Sequence, residues 1–62
     1  MNDILEYLAK KLREEQEVIK ENLASGKVKD YAEYQQNCGV LRGLLIANNM
    51  IAEMAERLDH DE

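Results

Sequence analysis

The stretch that decides the fold is Ala24-Ser25-Gly26-Lys27-Val28-Lys29-Asp30-Tyr31-Ala32-Glu33. Glycine adopts the left-handed backbone conformation that closes a helix C-terminus without a Cβ penalty, so Ser25-Gly26 predicts the end of a helix. A turn through Lys27 to Lys29 follows. Asp30 then reads as the N-cap of a new helix, and Glu33, three positions later, completes an aspartate version of the capping box. A helix end and a helix start this close together predict an all-α fold, an antiparallel two-helix hairpin. Its expected parts are a first helix over about 4–24, a turn over about 25–30, a second helix over about 31–58 and a frayed acidic tail at 59–62.

Working outward, the absence of proline and the scarcity of β-branched residues favour helix on both sides of the turn. Upstream, Asp3 reads as an N-cap, and Leu5, Leu8, Leu12, Ile19 and Leu23 recur at steps of three and four with Gln16 in the missing place. That is one amphipathic stripe, expected to form the core face. The opposite face carries Glu6, Lys10, Arg13, Glu14, Glu17, Lys20 and Glu21, with Glu6 and Lys10 spaced for an i,i+4 pair.

Downstream, the run Cys38 to Ala52 contains one charged residue, Arg42. One stripe runs through Tyr34, Cys38, Leu41, Leu45, Asn48 and Ala52, and a second through Val40, Leu44, Ala47, Ile51, Met54 and Leu58, with Ile46 and Met50 widening the surface. A two-helix hairpin needs one stripe of about 100° to face its partner, so apolar residues spread this widely imply contact on a second side. Folding the chain around Gly26 also predicts that the last two turns or so of the second helix, with Ile51, Met54 and Leu58 in or beside them, extend past the first. The expected protein-binding set is therefore Val40, Arg42, Leu44, Ile46, Ala47, Met50, Ile51, Met54 and Leu58.

Gly39-x-x-x-Gly43-x-x-x-Ala47 places three small residues on one helical strip. It is expected to serve close helix packing, within the hairpin or between protomers, or to make room for a bulky neighbour. The same spacing occurs in membrane spans, but the apolar run is too short and, with Arg42, Asn48 and Asn49, too polar to cross a bilayer. Arg42 is expected to lay its stem on apolar surface with its guanidinium in water, or else to reach a carboxylate, such as Glu14 or Glu15 on the first helix or one on a partner protein. Asn48 and Asn49 are candidates for fixing register in an apolar seam.

The chain has 62 residues, of which 45% are hydrophobic and 34% charged. A domain of this size buries only about 60% of its unfolded surface and is marginal alone. The single Cys38 excludes an intramolecular disulfide, which shifts the expectation towards oligomerisation or docking on a larger protein. A net charge of -5 leaves no electrostatic footprint for nucleic acid or an anionic membrane. Met1-Asn2-Asp3-Ile4 lacks a signal-peptide pattern, and a free cysteine suits a reducing cytoplasm.

Catalytic chemistry finds no constellation. There is no Ser/His/Asp arrangement and no phosphate-binding glycine loop, and Cys38 lies far along the chain from the one histidine, His60, so it reads as a buried structural thiol. A carboxylate metal site on helical bundles uses Glu-x-x-His on inward faces, whereas His60 follows Glu56 by four. No catalytic residue, metal ligand or cofactor is expected. A carboxylate metal-binding helical protein is the remote alternative.

Asp30-Tyr31-Ala32-Glu33-Tyr34-Gln35, followed by Cys38-Gly39-Val40-Leu41-Arg42-Gly43-Leu44 and preceded by Leu23-Ala24-Ser25-Gly26-Lys27, resembles a family of small helical proteins encoded by tailed bacteriophages. The likeness spans about Leu5 to Leu58. It implies a phage origin and a place among structural genes, but no activity and no site residues. The expected function is a non-enzymatic protein-interaction module, a minor virion component of head, neck or tail present in multiple copies. The alternative is a small acidic effector that inhibits a host protein. The expected partner is protein, either the chain itself as a homo-oligomer or a larger virion or host protein. The expected location is the virion, or the bacterial cytoplasm for an effector.

Overall fold

In the computed structural model, which describes residues 3–60 and only the backbone of His60, the chain forms two helices. α1 spans Asp3–Ala24 and α2 spans Tyr31–His60. They pack as an antiparallel hairpin, a rod 49 Å long and 15 by 12 Å across. Asp3 is the first helical residue rather than the one before it. α2 continues through Asp59 to His60, into the stretch expected to fray, while the rest of that tail lies outside the described residues.

Both ends of the connection take the expected form. Gly26 has φ +76°, and the Lys27 amide donates to the Asn22 carbonyl at 3.2 Å, the six-to-one bond of a Schellman cap. The Ser25 amide donates to the Glu21 carbonyl at 2.9 Å, so the last carbonyls of α1 are satisfied before the chain leaves. At the start of α2, Asp30 Oδ1 accepts from the Glu33 amide at 2.8 Å, and the Tyr34 amide donates to the Asp30 carbonyl at 3.0 Å. Asp30 is thus the N-cap, bonded to the third helical amide as the capping box requires.

The seam between the helices is narrow. From α1 it takes Leu5, Ala9, Leu12, Gln16, Ile19 and Leu23, at steps of four and three. Leu8, expected in the core, is exposed, and Ala9 takes its place. The reason is geometric: Leu8 precedes the seam position by one residue, about 100° around the helix. From α2 the seam takes Leu41, Leu44, Asn48, Ile51 and Ala55, so it draws on both expected stripes and coincides with neither. Tyr34 and Leu45 of the first stripe, and Val40, Met54 and Leu58 of the second, are exposed.

Gln16 is 5% exposed and its Nε2 donates to the Leu44 carbonyl at 3.4 Å, which sets the register. Eleven residues further towards the open end on each helix, Leu5 and Ala55 fall opposite one another, and both are buried. The expected overhang of two turns is therefore corrected. Because the connection occupies residues 25–30, the chain reverses near Asp30 rather than Gly26, and only about the last turn of α2 extends beyond Asp3. The extra length of α2 lies at the other end, where Tyr31 stacks on Tyr34 with ring centroids 6.2 Å apart and bonds to Gln35.

A candidate protein-interaction face

The seam leaves a second apolar stripe on α2. Val40, Gly43, Ala47, Met50 and Met54 each precede a seam residue by one position, so they form their own three-four repeat about 100° away, and Leu58 extends it. Met50 is 64% exposed and Met54 55%, with Val40 and Leu58 also open to solvent. The same offset on α1 gives Ile4, Leu8, Lys11, Glu15 and Val18. In an antiparallel pair, positions that precede the seam on the two helices lie on the same flank, as like heptad positions do in antiparallel coiled coils. One side of the hairpin therefore presents apolar residues from both helices.

The residues expected to bind protein divide accordingly. Met50, Met54, Val40 and Leu58 lie on this flank, and Ile46 stands exposed beyond its edge. Leu44 and Ile51 are half-buried in the seam, and Ala47 is half-buried at its border. Ile51 is thus a core residue of the hairpin rather than part of an uncovered end. Arg42 is exposed on the side of α2 turned away from α1, which suits a guanidinium in water and not one reaching Glu14 or Glu15. Leu8 and Val18 join this face although neither belongs to the set expected from the sequence. The signal for them in the sequence is the one-residue offset that recurs on both helices.

The glycines resolve differently from either expectation within the chain. A Cβ placed at Gly39 or Gly43 would meet nothing within 4 Å, so neither lets α1 approach closely and neither makes room for a bulky neighbour inside the hairpin. Both stand on the exposed surface of α2. Each interior glycine costs about 1 kcal/mol of helix propensity relative to alanine, a cost that no contact inside the hairpin offsets.

Polar features are modest. Lys11 lies 5.6 Å from the Tyr7 ring centre and 3.6 Å from Glu14, and Lys20 pairs with Glu17 at 3.4 Å, rather than the Glu6–Lys10 spacing singled out in the sequence. These pairs are solvent-exposed and contribute little. The Tyr34 phenol is held above its ordinary pKa, chiefly by its hydrogen bond to the Cys38 side chain and by the charge of that thiol when ionised, then by burial and Tyr31. Cys38 is half-buried rather than fully enclosed. Asn48 Oδ1 is buried without a hydrogen-bond partner among the described residues.

Among the described residues no three histidine, cysteine or carboxylate side chains stand together as metal ligands, and the His60 side chain lies outside what is described. The surface depressions are shallow: one between Met50, Glu53, Met54 and Arg57, others where charged residues of α1 meet the connection. No described helix is long and apolar enough to cross a membrane. Comparison with protein-family models, curated proteins and solved structures gives no match.

Proposed function

We propose that this chain is a non-enzymatic protein-interaction module. The observation that carries the reading is the second apolar face: a three-four repeat on α2, open to solvent and continued on α1 by Leu8 and Val18. A hairpin of 7.2 kDa exposing 5047 Å² has about 900 Å² more surface than a compact monomer of that mass, for which about 4,100 Å² is typical. A standard protein interface buries about 800 Å² per partner. Covering Met50, Met54 and Leu58 contributes roughly 1.5–3 kcal/mol each where burial is complete, enough to draw a marginal hairpin into an assembly.

The assembly proposed is a tailed-phage virion, with the chain as a minor multi-copy component. This placement rests on the resemblance of residues 23–44 to small phage-encoded proteins. Mass spectrometry of purified particles tests it, with the chain expected in stoichiometric amount. A chain found in infected cells and absent from particles sinks the virion placement and leaves the module acting on a host protein.

A further inference from the structure

We infer that the apolar flank is closed by a second copy of this chain, giving a two-fold-symmetric four-helix bundle in which α1 lies antiparallel on α1 and α2 antiparallel on α2. The inference deepens the interaction-module reading by naming the partner, and it rests on three features that agree without needing to.

Val40 and Met54 of the α2 stripe stand seven residues on either side of Ala47. In an antiparallel crossing centred there, Val40 meets Met54 of the second copy, and Gly43 lies one residue, about 1.5 Å, from the level of Met50 of the second copy. The surface at Gly43, where a Cβ would touch nothing within 4 Å, leaves room near Met50 of the second copy, the most exposed side chain of the stripe. A small residue at the axis lets two helices approach closely.

Leu8, Lys11, Glu15 and Val18 of the α1 stripe are symmetric about residue 13. Leu8 then faces Val18 of the second copy, and Lys11 faces Glu15 of the second copy, so the two charges that interrupt this stripe neutralise each other twice across the axis. Lys11 reaches Glu14 within its own chain through an exposed pair that is easily exchanged.

The register inside the hairpin supplies the third feature. Gln16 lies against Leu44, so residue 13 lies at the level of Ala47. The midpoint of Leu8, Lys11, Glu15 and Val18 and the midpoint between Val40 and Met54 therefore share one height on the rod, and a single two-fold axis serves both. A two-fold running along the helices would instead set α1 on α2 of the other copy and leave Lys11 and Glu15 unmatched. The surface excess of about 900 Å² per chain is the amount a standard interface removes.

Sedimentation equilibrium on the whole chain, with helicity followed by circular dichroism, tests the arrangement. The wild type is expected to have twice the chain mass. Lys11→Glu and Glu15→Lys are each expected to weaken the dimer by about tenfold or more, since each places like charges opposite one another twice. The double variant Lys11→Glu/Glu15→Lys is expected to restore it. A wild type that stays monomeric at all accessible concentrations overturns the inference. So does a dimer indifferent to the single reversals, or one that the double variant fails to restore while the chain remains helical. A monomer that still enters purified particles would end the dimer while leaving the proposed function standing.

Discussion

The same chemical change, glycine to alanine, is expected to act with opposite sign at Gly26 and Gly39. Added methyl groups meet nothing within 4 Å at either site, so packing contributes to neither result within the hairpin. Backbone conformation alone distinguishes them. Gly39 is helical, and alanine there gains about 0.8–1 kcal/mol of helix propensity. Gly26 holds φ +76°, where a residue with a Cβ pays about 1–2 kcal/mol, partly offset by the narrower unfolded ensemble of alanine, for a net loss of about 1 kcal/mol. The two variants should therefore differ by about 2 kcal/mol. For a domain of this size each kcal/mol shifts Tm by about 4–8 °C. Urea and thermal denaturation at matched protein concentration, followed by far-ultraviolet circular dichroism, would show Gly39→Ala above wild type and Gly26→Ala below it. If both shift the same way, either the Schellman cap at Gly26 or the open surface at Gly39 is wrong.

Asn48→Leu should raise the urea midpoint by an amount equivalent to about 1–3 kcal/mol, because it removes a buried amide oxygen with no partner; a lowered midpoint would mean that the oxygen is satisfied by water or that the seam cannot take the added volume. Ile51→Glu should unfold the hairpin, whereas Met54→Glu should leave it helical and abolish association, since the first side chain lies in the seam and the second outside it; equal loss of helicity in both would show the two faces to be wrongly assigned. Tyr34 should titrate above an ordinary phenol in an ultraviolet difference titration against Tyr34→Phe, and Cys38→Ala should lower its midpoint by removing the largest cause of the shift. Because the folded chain holds that proton more tightly than the unfolded one, the associated stability is complete below the unfolded pKa and is lost as pH rises through the folded pKa. An unchanged midpoint in Cys38→Ala would remove the thiol from the explanation.

The sequence by itself determined the hairpin. Gly26 and Asp30 act through their own backbone and neighbouring amides, and Schellman and capping-box bonds close within six residues, so their chemistry is local and readable. The sequence also determined that α2 carries more apolar surface than one partner covers, because that follows from counting residues around a helix. Only the tertiary structure decided which residues turn inward. Two stripes one residue apart are equally helical and similarly apolar, and choosing between Leu8 and Ala9, or between Met50 and Ile51, depends on where the partner helix lies. That position is set by the register, with Gln16 reaching the Leu44 carbonyl and Leu5 opposite Ala55, contacts between residues far apart in the chain. The offset is small along the sequence but amounts to about 100° around the helix, enough to exchange core for surface.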